Sequence, residues 1–337
     1  MMFRTDQARL FVPLIAANVL IWTVAFAAFH GTPVVLGTAL LAYGLGLRHA
    51  VDADHIATID NVTRKLIHAG RPSVTTGLYF SLGHSTVVWL ASLGIAFAAT
   101  TATPGIVALR EIGGTIGTAV SITFLLGIAA ANIVVLKGLI GAIRRHRRCA
   151  PPGGMESDGT LALHGPCGCA LGRAFRLVSQ SRHMFAIGFL FGLGFDTATE
   201  IGVLGISAAA ASNGMTIWTI LLFPALFTAG MSLVDTADSA LMTRAYRWAL
   251  VEPARKLYYN LTVTFLSIIV ALAVGGIEAL GLLRSHLEMN AAMGDAIARL
   301  NGQMGTLGYE AVAGFAGFWL VSALIFRATR PIRGAGI

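Results

Sequence analysis

Eight long apolar stretches alternate with shorter polar ones along the chain, at residues 10–29, 34–61, 74–99, 115–142, 184–211, 215–241, 258–283 and 307–326. Each is about the length that carries a helix across the hydrocarbon core of a bilayer, roughly twenty residues. The runs are continuously apolar rather than alternating, and too long for barrel strands. The pattern therefore predicts an all-α polytopic membrane helix bundle of about eight transmembrane helices, forming a single domain over residues 1–337. The first run is open to a second reading: Arg4 and Arg9 precede a stretch ending in Ala25-Phe26-Ala27, the form of a signal peptide. Its full spanning length favours a retained helix.

Two polar segments interrupt the pattern. Residues 143–182, rich in Gly, Pro and Arg and without apolar periodicity, read as a flexible cytoplasmic loop between the fourth and fifth spans. Between the last two spans, Leu287, Ala291, Met293, Ile297 and Leu300 recur at helical spacing, which predicts a short amphipathic surface helix. A weak internal echo is also present. YGLGL at 43–47 precedes His49 and its acids, and FGLGF at 191–195 precedes Asp196 and Glu200. The two lie three spans apart and so cross the membrane in opposite senses, the arrangement of an inverted repeat.

Composition agrees with the membrane reading and charge orients it. Hydrophobic residues make up 55% of the chain and charged ones only 12%, outside the range of soluble domains. The net charge of +8 could suggest nucleic acid, but its placement does not. With the N-terminus in the cytoplasm, all but four of the 24 Lys and Arg fall in the termini and cytoplasmic loops. The exceptions are Arg110, Arg284 and Arg299 on the far side and Arg48 inside a span. Both termini are thus expected in the cytoplasm, and no nucleic-acid partner is implied.

The acids are distributed in the opposite way. Asp52, Asp54, Asp60, Asp196, Glu200, Asp235 and Asp238 lie within or at the ends of spans. An Asp at a helix centre costs about 2.5–3.5 kcal/mol on insertion scales unless it faces a partner or a water-filled interior. With Arg48 the sole basic residue at comparable depth, the missing partner is a cation. His49, Asp52 and His55 are spaced by three, so a straight helix would hold them within an arc of about 120°. Asp54 would point about 100° from His55. Neutral imidazoles with a carboxylate suit nickel, cobalt, zinc or copper rather than magnesium or calcium.

The segment RHAVDADHIATIDN resembles the signature of the NiCoT nickel/cobalt transporters, in which a His is followed after four residues by Asp-His, here His49, Asp54 and His55. FSLGHSTVV at 80–88, LGFDTATEI at 193–201 and AGMSLVDTADS at 229–239 resemble further motifs of that family. The resemblance covers the second, third, fifth and sixth spans in order. It implies secondary uptake of divalent nickel or cobalt, carried as substrate and not as a prosthetic group, through the cytoplasmic (inner) membrane of a prokaryote. The family motif stresses Asp54 where helical spacing groups Asp52, so both stand as candidate ligands, and a bend at Gly44 and Gly46, or a site shared between helices, would reconcile them. Asn18 corresponds to a family position thought to act with the motif His, although a plain helix-to-helix hydrogen bond explains it as well.

The remaining candidates are His84, flanked by Gly83 and Ser85 that would admit a close neighbour; Asp196 and Glu200, i and i+4 on one face; and Asp235, three residues from Asp238. The loop residues His146, Cys149, His164, Cys167 and Cys169 form only a weak soft-metal pattern. Beyond the metal ion and the lipid bilayer no partner is expected, since the chain holds no G-x-x-x-x-G-K-[ST] and any ATPase would be a separate subunit. Three rivals remain open: a metal exporter of the same superfamily; an intramembrane metalloenzyme, although H-E-x-x-H is missing; and a proton-coupled transporter that uses these acids without metal.

Overall fold

A computed structural model describes residues 2–101, 118–134, 136–137, 140, 178–193, 198–249, 253–286, 291–303, 306–311, 313–314, 317 and 320–321. Among these residues the regular structure is entirely helical. The helices are α1 (Met2–Phe29), α2 (Pro33–His49), α3 (Ala53–His68), α4 (Thr76–Thr101), α5 (Thr118–Val134), α6 (Met184–Gly192), α7 (Ala198–Ser212), α8 (Ile217–Ile220), α9 (Leu222–Ala249), α10 (Pro253–His286) and α11 (Ala291–Gly302). Residues 306–311 add a further helical segment, α12. Among the described residues four helices are long and apolar enough to cross a membrane, or five if the bent pair α2–α3 counts as one span. The protein is therefore a membrane protein.

Hydrophobicity is arranged for lipid. Val12, Ile15, Val19 and Leu20 of α1 and Phe265, Ile269 and Leu272 of α10 are exposed, while Asp60, Thr58, Thr63, Asp235 and Thr236 are fully buried. In hydrocarbon an apolar face gains no hydrophobic free energy by packing, so van der Waals contact at small residues and bonds between polar groups hold the helices together. α9 is the hub, touching α1, α2, α3, α4, α7 and α10, with Phe223, Leu226, Phe227 and Met231 in the core. α1 belongs to the same core through Ala25 and Phe29, whose ring stacks on Phe223 at 5.6 Å.

Close approach is needed at the centre. A Cβ on Gly46 of α2 would collide with the backbone carbonyl of Phe227 in α9, and one on Gly77 of α4 with that of Asp235. Glycine at these two positions lets α2 and α4 seat directly on the hub. Two others end helices: Gly70 at φ 66° and Gly214 at φ 72° close α3 and α7. In each, the next residue's N–H returns to a carbonyl five back, Arg71 to Leu66 and Met215 to Ala210.

The second span departs from the straight helix that the spacing suggested. α2 stops at His49, α3 starts at Ala53, and the two meet at 51°. The break lies at residues 50–52, not at Gly44 and Gly46. Val51 N–H and Asp52 N–H bond three residues back, to Arg48 and His49, and Asp52 then turns extended (φ −65°, ψ 146°) as the residue preceding α3. Its side chain does not cap α3; it is taken by His49. From α12, Gly308 packs its Cα against the Val51 carbonyl, where any Cβ would clash. The expected amphipathic helix is present as α11, with Ile297 buried and Met293 and Leu300 exposed. The loop at 143–182 lies outside the described residues as far as 177, together with all of its Cys and His candidates.

Candidate metal centre

Because the helix breaks after His49, this residue and His55 come from two helix ends that meet at an angle, and α4 brings His84 against both. The three rings form a triangle with centroids 4.6 Å (His49–His55), 4.7 Å (His49–His84) and 4.9 Å (His55–His84) apart. All three are buried, at 1%, 0% and 2% exposure. One nitrogen from each lies within 4.8 Å of the others, close enough for one ion.

The outer nitrogens meet carboxylates. His49 Nδ1 lies 2.9 Å from Asp52 Oδ2 and 3.0 Å from Thr199 Oγ1. His55 Nδ1 lies 3.4 Å from both oxygens of Asp235. A carboxylate on one ring nitrogen fixes the tautomer and directs the lone pair of the other inward. His55 Nε2 meets no hydrogen-bond partner, so its lone pair is free. His84 is held by Nε2, 2.9 Å from Glu200 Oε1 and 2.8 Å from His49 Nε2, while its Nδ1 has no partner.

The 2.8 Å separation of His49 Nε2 and His84 Nε2 is a hydrogen-bond distance and requires a proton between the two ring nitrogens, which must leave before both can ligate one ion.

The family model described as "High-affinity nickel-transport protein" (NicO) matches residues 35–325, the greater part of the chain. The chain belongs to the NicO family. It is 52% identical to the high-affinity nickel transport protein of Cupriavidus necator over 95% of this chain and 92% of that one. The hydrogenase nickel incorporation protein HupN of Bradyrhizobium diazoefficiens is 50% identical over 95% and 84%, and the cobalt transport protein NhlF of Rhodococcus rhodochrous 39% over 98% and 95%. No solved structure matches.

Against this NicO background the candidate residues separate by position. His49, His55 and His84 converge, and Asp52, Asp235 and Glu200 each touch one of them. Glu200 stands in the first turn of α7, where the helix dipole favours a carboxylate. Asp54 occupies the first turn of α3, partly buried beside His55. Asn18 is brought elsewhere: its side chain donates to Leu14 O at 3.0 Å and accepts from the Tyr43 hydroxyl at 3.2 Å, a helix-to-helix bond between α1 and α2. Asp196 lies outside the described residues, so its pairing with Glu200 does too. Arg48 reaches Asp52 Oδ1 at 3.6 Å from a largely open position.

The sequence reading missed an aromatic wall. Phe80 meets His55 edge-on at 4.8 Å, Phe227 lies 5.5 Å from His49, and Phe191 backs Phe80 at 5.5 Å. Phe80 could have been found, since it precedes His84 by one helical turn. Phe227 ends the apolar run of residues 220–227, in which nothing draws notice.

Proposed function

We propose that this protein is a single-component permease that carries Ni2+, with Co2+ as a close competitor, into a prokaryotic cell through its cytoplasmic membrane. The observation that carries this reading is the buried triangle of His49, His55 and His84, two of whose outer nitrogens face carboxylates. Three buried imidazoles with one nitrogen each within 4.8 Å of the others are difficult to explain as packing. The names of the relatives support inward transport over efflux, and support a transporter rather than an enzyme.

In this reading the three imidazoles are the ligands. Asp52, Asp235, Glu200 and Thr199 orient them, and Asp54 and Asp196 add negative charge on the path. Asn18 acts through Tyr43 on α2, the helix that ends at His49. Eight spans with both termini in the cytoplasm remain the topology we favour, with spans two and five as halves of an inverted repeat. Then α2 begins outside and α3 ends inside among Arg64, Lys65 and Arg71. A potential negative inside favours entry of a dication by about 4.6 kcal/mol per 100 mV, so no coupled ATPase is required.

The test is uptake of labelled nickel by cells expressing the wild type, His55→Ala and His84→Ala, with cobalt and zinc as competitors. We expect both variants to lose accumulation while reaching the membrane in normal amounts. Unchanged uptake by His55→Ala would refute the proposal.

A further inference from the structure

Below the imidazoles, two carboxylates have contrasting surroundings. Asp60 of α3 is fully buried and satisfied, accepting from the Tyr246 hydroxyl at 2.8 Å and from Ser267 at 3.1 Å. Asp238 of α9, at 8% exposure, has a buried oxygen, Oδ2, that no donor reaches. It lies within electrostatic reach of Asp60 and of Asp235. A buried carboxylate oxygen left without any donor is rare in folded proteins and marks a missing ion or proton.

The direction is informative. Asp238 is three residues beyond Asp235 and Asp60 five beyond His55, about 4.5 Å and 7.5 Å further along their helices. The contacts between the two helices run in the same order along both, His55 with Asp235 and then Asp60 with Tyr246, so both carboxylates lie on the same side of the imidazoles. One turn further, Arg64 is buried within electrostatic reach of Asp60 and donates to Thr264 at 2.6 Å, Asn61 at 3.0 Å and Asn132 at 2.7 Å. A cation leaving the imidazoles meets two acids and then a fixed positive charge, which together make a resting place.

We infer that Asp60 and Asp238 form a second, oxygen-donor station for the transported dication, on the exit side of the histidine cluster. This rests on the proposed transport function. The station takes a partly hydrated divalent cation, which carboxylates and water hold less tightly and less selectively than imidazoles do. A weak oxygen site after a strong nitrogen site gives the ion somewhere to go without demanding full rehydration in one step.

Equilibrium binding of labelled nickel to the purified full chain in lipid nanodiscs tests it. The wild type should bind two equivalents at saturation, the second at least tenfold more weakly and displaced by excess manganese. Asp238→Asn, which copies the size of a protonated acid, should bind one equivalent; Asp238→Glu should recover the second. A wild type that binds one equivalent overturns the inference without any variant. So does an Asp238→Asn isotherm equal to the wild type's, the result expected if Asp238 is simply protonated. Loss of the tight site in His55→Ala with the weak one kept separates this station from the first. If His55→Ala leaves the tight site intact, the histidine reading fails while the station stands.

Discussion

Replacing Asp52 by Asn isolates the contribution of a carboxylate to the nearest imidazole. Asn has nearly the same shape and is as good a residue before a helix as Asp, so the break at 50–52 and the start of α3 should survive. What is lost is the negative charge 2.9 Å from His49 Nδ1, which makes the ring a stronger donor at Nε2 and holds its tautomer. Removing such a partner typically costs 10- to 100-fold in metal affinity, about 1.4–2.7 kcal/mol. The ion pair of Arg48 with Asp52 is also lost, but at 3.6 Å and 43% exposure of the Arg side chain it contributes little. Arg48→Gln is therefore the control, expected to change affinity less than threefold. Nickel titration into protein in nanodiscs, followed by calorimetry, reads both variants directly. Should Asp52→Asn bind nickel as the wild type does, the carboxylate does not tune His49 and the argument from tautomer fails. Should Arg48→Gln weaken binding as much, the effect belongs to local charge and not to the imidazole.

Further outcomes follow from packing and protonation. Gly46→Ala should lower thermal stability by about 1–3 kcal/mol, because its Cβ meets the Phe227 carbonyl and α2 must move off α9; unchanged melting would show that contact to be loose. Asn132→Ala leaves the buried Arg64 guanidinium short of an acceptor it now has at 2.7 Å, and should cost about 1–3 kcal/mol in the same melting assay while leaving nickel affinity unchanged. Tyr43→Phe removes the donor to Asn18 and should lower stability by only about 0.6 kcal/mol, the usual worth of such a bond between membrane helices. Nickel binding should weaken as pH falls, since protons and metal compete for the same nitrogens. Affinity that stays constant from pH 8 to pH 5 would exclude imidazole ligands.

Most of the spans were legible because hydrophobic runs of this length leave few alternatives. The histidines were legible for a related reason: polarity inside such runs is costly and stands out against them. Geometry was less accessible. Spacing of three placed His49, Asp52 and His55 on one face only while the helix was taken as straight, and the 51° break makes Asp52 a partner of His49. No glycine or proline stands at Ala50-Val51-Asp52 to announce the break. It is stabilised by contacts distant in sequence, among them the approach of Gly308 to Val51. Likewise the meeting of Asp235 with His55, 180 residues apart, depends on how α9 seats against α3. Periodicity within a single helix carries no information about that.

The break also decides what can move. An unbroken helix would hold His49 and His55 at fixed separation, and any displacement would carry both together. With Asp52 extended between two helix ends, a tilt of α3 against α2 through the torsions of residues 50–52 would open the imidazole triangle at the cost of the two short turn bonds from Val51 and Asp52, leaving the i to i−4 bonds within each helix intact. α2 is tied to α9 through Gly46, and α3 carries His55 against Asp235 of that same α9. A tilt of α3 would therefore loosen His55 from Asp235 while His49 keeps Asp52. For an ion held by the three imidazoles as proposed, release by one ligand at a time is a lower barrier than simultaneous loss of three, and a kink between the two histidines is what allows it.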